Sequence, residues 1–217
     1  MSVEPFEEGA VRGFLHRPEE PAEYAIVLTH GAGSNCQAPL LVAVASEFAA
    51  AGLLVLRCDL PYRQARPSGP PSPGGSARDR EGLREAVAAM RRIAPGRVYL
   101  GGHSYGGRQA SMLAASDPGR TEALLLLSYP LHPPRKPTEL RTAHFPKLQT
   151  PAAFVHGTRD PFGTIEELRS ALALIPARSA LLDMEGAGHD LKKSGSAARV
   201  VKHFLDFTFC YNSDSSS

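Results

Sequence analysis

The stretch Gly101-Gly102-His103-Ser104-Tyr105-Gly106-Gly107 constrains this chain more than any other. It follows a short apolar run, Val98-Tyr99-Leu100, and precedes helix-forming residues from Arg108 to Ala115, so it sits where a strand hands over to a helix. A Gly-x-Ser-x-Gly pattern at such a joint holds the serine in a strained backbone conformation at the point of the bend, and the glycines let strand and helix approach closely. Ser104 is thereby the candidate nucleophile. A glycine-rich turn can also do no more than join two elements, so the chemistry depends on whether an acid and a histidine follow at the ends of later strands.

The remaining sequence alternates apolar runs with helical patterns. Residues 25–29, 53–58, 123–127 and 152–156 read as strands covered on both faces, and 11–15 and 180–184 as shorter strands. Helical spacing runs through 39–51, ended by Gly52, and through 78–93, ended by Pro95-Gly96. It returns in 165–174 and in 197–209, where Val200, Val201, Phe204, Leu205 and Thr208 form one stripe. Such an order describes an α/β fold: a mostly parallel central sheet with helices on both faces. Right-handed crossovers then bring the C-terminal strand ends to one edge. Residues 1–211 read as a single domain and 212–217 as a disordered polar tail. Asp59-Leu60-Pro61-Tyr62-Arg63 opens a Pro- and Gly-rich loop to about Gly75, a pocket wall or a plain surface loop. The Pro-rich segment from Ser128 to Pro146 leaves little room for a lid.

Composition narrows the function. A net charge of +2, with both signs interspersed, provides no basic field for nucleic acid or an anionic membrane. Cys36, Cys58 and Cys210 are too scattered for a disulfide framework or a zinc site, which points to a reducing, cytoplasmic setting. The opening Met1-Ser2-Val3-Glu4 lacks the apolar core of a signal peptide, and no apolar run approaches bilayer length. Phosphate loops, dinucleotide fingerprints and metal-ligand spacings are missing, so the expected reaction uses no cofactor and no metal.

An acid and a histidine do follow, in the order Ser, Asp, His. Asp160 lies in the loop after residues 152–156, and His189 in the loop after 180–184. A serine hydroxyl needs a neutral imidazole to take its proton as it attacks, and the resulting cation needs a carboxylate on its far side. His189 is the expected base and Asp160 its partner; Asp190 is the rival, disfavoured because sequence neighbours seldom face each other across a ring. The oxyanion of the intermediate would be received by the backbone N–H of Tyr105 and a second from His30-Gly31-Ala32-Gly33, with Ala32 favoured. His30 and His103 are read as braces of their turns. Arg63, Arg108, Tyr129 and His132 are candidates for binding an anionic substrate group, with salt-bridged or solvent-facing roles as the alternative.

With His30-Gly31-Ala32-Gly33, Gly102-His103-Ser104-Tyr105-Gly106, Asp160 and His189 in place, the chain resembles the α/β-hydrolase superfamily, in its small lidless dienelactone-hydrolase-like form. Asp59 to Arg63, Ser128 to His132 and His156 to Gly163 look more narrowly like the branch containing testis-expressed protein 30 and subunit 3 of the non-specific-lethal chromatin complex. The resemblance implies an eight-stranded type of sheet and a serine triad on Ser104, Asp160 and His189. Dienelactone hydrolase itself has a cysteine nucleophile, so its substrate does not carry over to Ser104. Two functions follow. One is a serine hydrolase cleaving a small ester or thioester at a shallow site; the other is a non-catalytic protein-interaction module, since the branch is known chiefly for assembly components. Oligomeric state is not legible at this level.

Overall fold

Apolar runs become strands here because both of their faces are covered. The computed structural model describes residues 1–72, 74–193 and 195–209, and the expected polar tail, 212–217, lies outside them. Eight strands form one sheet: β1 (Ser2–Glu8), β2 (Val11–Arg17), β3 (Ala25–Thr29), β4 (Leu54–Cys58), β5 (Val98–His103), β6 (Leu124–Leu127), β7 (Ala152–Gly157) and β8 (Ser179–Met184). Their order is β1-β2-β4-β3-β5-β6-β7-β8. Only the β1–β2 and β2–β4 pairs are antiparallel.

Period-2 alternation divides each central strand between two cores. Ala25, Val27, Leu54, Leu56, Leu124 and Leu126 face α3 (Ser76–Ile93), α4 (Tyr105–Ser116) and α5 (Ile165–Leu172), whose Leu83, Val87, Leu113 and Leu168 complete that layer. Ile26, Leu28, Val55, Leu125 and Val155 face α1 (Pro39–Ala50) and α6 (Ser196–Phe209). The closing helix buries Val200, Val201, Phe204, Phe207 and Thr208, so Phe207 joins the stripe while Leu205 is only partly buried. The short α2 (Pro61–Ala65) interrupts the segment expected to be a loop, and inserts Tyr62 and Arg63 into the fold. None of the helices among the described residues is long and apolar enough to cross a membrane.

The N-terminal strand β1 was not among the expected elements. It forms a hairpin with β2 at the sheet edge, turning at Gly9 (φ 56°), and most of its residues are exposed, so it carries no apolar signature. Register sets the functional edge level: Thr29 pairs with Cys58 and Gly102, His103 with Leu127, Leu127 with Val155, and Gly157 with Met184. Turns leaving β3, β5, β7 and β8 therefore emerge side by side. Between β6 and β7 the only helical piece among the described residues is the 3₁₀ turn Phe145–Lys147, and no lid covers that edge.

Candidate active site

Ser104 leaves β5 and caps α4 with φ 52° and ψ −116°, a region that L-residues rarely occupy. Close approach holds it there. A Cβ on Gly106 would stand 2.5 Å from the His30 carbonyl oxygen, and one on Gly102 would stand 2.8 Å from the Gly107 nitrogen. No side chain fits at either position, so the bend that exposes Ser104 is pressed directly against the end of β3.

The acid and histidine loops are clamped to one another before they meet the serine. Arg159 N–H donates to Ala187 O (2.9 Å), Thr158 N–H to Met184 O (3.1 Å) and Gly186 N–H to Thr158 Oγ1 (2.9 Å). Gly157 lets the two backbones pass, since a Cβ there would lie 2.4 Å from Ala187 O. His189 Nδ1–H then donates to Asp160 Oδ2 at 2.7 Å, and the Ser104 hydroxyl donates to His189 Nε2 at 2.8 Å. The Asp160 side chain is fully buried and that of His189 is 23% exposed, so the carboxylate is shielded while the imidazole reaches the surface. Phe162 lies 4.3 Å from the His189 ring, and its N–H donates to Asp160 Oδ1 (2.9 Å). Asp190, the rival acid, pairs with Lys192, which holds its carboxyl below the usual range.

Both accessory histidines are built into the loops. His30 is fully buried; its Nδ1–H donates to Gly31 O (2.9 Å) and its Nε2 accepts Leu60 N–H (3.1 Å), while burial pushes its pKa down and keeps it neutral. His103 Nε2–H donates to His189 O at 2.7 Å, and burial lowers its pKa too. The Gly31 carbonyl is held by three donors: His30 Nδ1, Tyr62 Oη (3.1 Å) and Ser34 N (3.1 Å). A trans peptide points its N–H opposite its C=O, so fixing Gly31 O also fixes the Ala32 N–H. Among the described residues, the N–H groups of Ala32 and Tyr105 donate to nothing within the fold.

Three of the four expected substrate contacts are engaged in structure instead. Arg63 donates to the carbonyls of Ser34, Ala32, Arg66 and Gly69, pinning the 31–34 turn to the 66–69 loop. Tyr129 is fully buried among Phe145 and Phe154, with its hydroxyl on Arg141 O (2.7 Å). His132 is buried against Pro133 O and Glu167. Arg108 alone lines a cavity, one helical turn beyond Ser104. Sequence reasoning missed Tyr62, Asp79 and His156. Asp79 accepts from Tyr62 N–H (3.1 Å) and Tyr105 Oη–H (2.7 Å), tying α3 to the elbow. His156 Nε2–H donates to Gly163 O (2.9 Å) and stiffens the loop carrying Asp160. Adjacent positions in the loops carried no signal for these pairings.

A largely apolar cavity of about 550 Å³ lies behind the histidine loop, bounded by Ala38, Leu40, Ala43, His103, Leu191 and Ala197, and Ser104 does not line it. Among the described residues no group of three or more His, Cys, Asp or Glu is arranged to hold a metal ion.

The same architecture recurs widely among known structures. A dienelactone hydrolase from Anabaena variabilis superposes with a TM-score of 0.74 at 20% identity, covering 95% of each chain. Est1E of Butyrivibrio proteoclasticus, with ferulic acid bound, reaches 0.77 at 16% identity, over 94% of this chain and 98% of that one. A lidless α/β serine hydrolase from Xanthomonas campestris reaches 0.68 at 14% identity, over 94% of each chain. At such identities the likeness is one of fold. The sequence also matches the family model described as alpha/beta hydrolase domain across residues 22–208, from the strand before the first crossover to the closing helix, and the chain therefore belongs to the alpha/beta hydrolase family.

Proposed function

We propose that this protein is a serine hydrolase that cleaves a small, accessible ester or thioester through an acyl-enzyme. One observation carries the reading: the unbroken chain of hydrogen bonds from Ser104 through His189 to Asp160, at 2.8 and 2.7 Å. With Nδ1–H directed at Asp160, the imidazole presents its lone pair on Nε2 to the serine hydroxyl. His189 takes the proton as Ser104 Oγ attacks the carbonyl carbon, and Asp160 stabilises the imidazolium. The N–H groups of Ala32 and Tyr105 receive the oxyanion. His189 then returns the proton to the leaving alcohol or thiol, and a water, deprotonated by the same nitrogen, releases the acid. No cofactor enters these steps.

The dienelactone-hydrolase-like neighbours support ester chemistry, and the uncovered edge supports short acyl groups. Free, buried Cys36 and Cys58 fit a cytoplasmic setting. A fluorophosphonate probe tests the reading, since covalent capture needs an activated serine. Labelling of the wild type at Ser104 with none in Ser104→Ala is the expected result, together with a preference for short nitrophenyl esters. An unlabelled, folded protein would overturn it in favour of the second reading, a non-catalytic interaction module. That alternative draws on the narrower likeness of residues 59–63, 128–132 and 156–163 to the branch of testis-expressed protein 30 and the non-specific-lethal subunit 3.

A further inference from the structure

Several arginines at the surface face a carboxylate, Arg84, Arg91, Arg92, Arg120 and Arg169 among them. Among the described residues, Arg80, Arg108 and Arg141 form no ion pair with a carboxylate, and they meet in one place. A cavity of about 620 Å³ lies between α3, α4 and residues 140–147, and Arg80, Arg108, Arg141, His144 and Lys147 line it without a single Asp or Glu. Arg80 makes only neutral contacts, to Gln109 Oε1 (3.1 Å) and Ser76 Oγ (3.4 Å). Arg141 reaches one carbonyl, Pro130 O, at 3.4 Å. The Nε of Arg108 is buried and has no partner at all.

Nearby acids relieve this only in part, the charge of Glu139 acting on Arg141 from outside the cavity lining. Asp79 adjoins Arg80 in sequence, but its two oxygens are taken by Tyr62 N–H and the Tyr105 hydroxyl. Glu139 is paired with Lys136. The same charges bear on the neighbours: burial, then Arg108 and Arg80, push His144 down to about 4, and burial with Arg108 lowers Arg141. Like charges gathered around a concave, partly desolvated space without a counter-charge disfavour the empty fold, and persist where a ligand supplies the missing charge.

We propose that this cavity binds a phosphate group, free or as the terminal monoester of a larger molecule. Three guanidinium forks and an ammonium exceed what one carboxylate neutralises, and they match a tetrahedral dianion whose oxygens accept paired N–H donors. Nothing in the proposal requires Ser104 to turn over an ester, although Arg108 N–H donates to Ser104 O at 3.0 Å, so an anion seated here lies about one helical turn from the nucleophile.

Calorimetry and thermal denaturation in low-salt buffer test it with inorganic phosphate and with phenyl phosphate as the monoester. With phosphate at about ten times its Kd, the melting temperature rises by about 3 to 5 °C. Arg141→Gln weakens phosphate binding by about tenfold or more, and its melting temperature without phosphate is equal to or above that of the wild type, because the substitution relieves repulsion. Lys147→Gln, at an exposed position, gives a smaller loss in the same direction and serves if the arginine variants fold poorly. Tighter binding of phenyl phosphate identifies a monoester ligand, and equal binding identifies free phosphate. Absence of binding at millimolar phosphate overturns the proposal, and so does a stabilisation that is identical in wild type and both variants. Phosphate binding retained in Ser104→Ala separates this outcome from the fate of the hydrolase reading.

Discussion

Two polar regions share helix α4 and differ in completeness. At its N-terminus, every polar atom of the Ser104–His189–Asp160 chain has a partner, down to Asp160 Oδ1 on Phe162 N–H. About one turn further on, Arg108 leaves a buried Nε without one, amid cations that face no carboxylate. In the proposed reading, the first region is organised before any ligand arrives and needs only an electrophile. The second lacks a charge. Preorganised dipoles need not be rearranged during reaction, which favours rate, whereas uncompensated charge favours binding of whatever compensates it. Under the two proposals, a single helix carries a place for chemistry beside a place for recognition.

Removing the nucleophile tests the separation most severely. Ser104→Ala is expected to lower kcat on a nitrophenyl ester by about 10⁶-fold, leaving phosphate binding intact. Asp160→Asn keeps the shape of the loop but loses the charge that stabilises the imidazolium and the bond that selects its tautomer, so kcat should fall by about 10⁴-fold with little change in KM. Steady-state kinetics of both variants, with probe labelling, measure these effects. A fall in Asp160→Asn of less than tenfold would show that the buried carboxylate serves the loop rather than the imidazole.

Acid stability separates the regions differently. Burial and the nearby Arg57 charge hold His16 at about 4, and burial with Arg108 and Arg80 holds His144 at about 4. Both folded values lie below the ordinary histidine value of about 6.5, so the unfolded chain binds protons first as pH falls. The stability that neutral His16 and His144 provide is complete above pH 6.5 and lost as pH falls through about 4. Each contributes up to about 3 kcal/mol, at 1.36 kcal/mol per unit. Urea unfolding at pH 7 and pH 4.5 should show the loss. Bound phosphate offsets the arginine field around His144, so an NMR titration should raise its pKa and leave that of His16 unchanged.

How much of this was legible in the sequence depended on where each residue's partners lie. Buried strands were readable because Ala25 to Thr29 or Leu124 to Leu127 need no partner's identity to appear apolar; β1 was not, because an exposed edge strand needs no such residues. The convergence of Ser104, Asp160 and His189 was readable because a tight bend demands glycine and the topology orders the other two. Arg63, Tyr129 and His132 looked like ligands for substrate because arginine, tyrosine and histidine in loops bind substrates or backbone carbonyls with the same donors, and only the fold decides which. Tyr62 and Asp79 were invisible for the converse reason. Their partners lie 17 to 31 residues away, across three different elements.

Tyr62 provides the finest test of preorganisation. Its hydroxyl bridges Gly31 O at 3.1 Å and Ala32 O at 2.9 Å, and the Gly31 carbonyl belongs to the same peptide plane as the Ala32 N–H. Removing that hydroxyl in Tyr62→Phe leaves His30 Nδ1 and Ser34 N on Gly31 O and Arg63 on Ala32 O, so the turn stays folded but its plane rocks more freely. One hydrogen bond of about 1 kcal/mol corresponds to a loss of up to about fivefold in kcat. The loss should fall on kcat rather than KM, because in the proposed mechanism the Ala32 N–H meets charge only in the transition state, and phosphate affinity at Arg108 should not move. If KM rises with kcat unchanged, the turn shapes ground-state binding, and the distinction drawn between a place for chemistry and a place for recognition fails at its own rim.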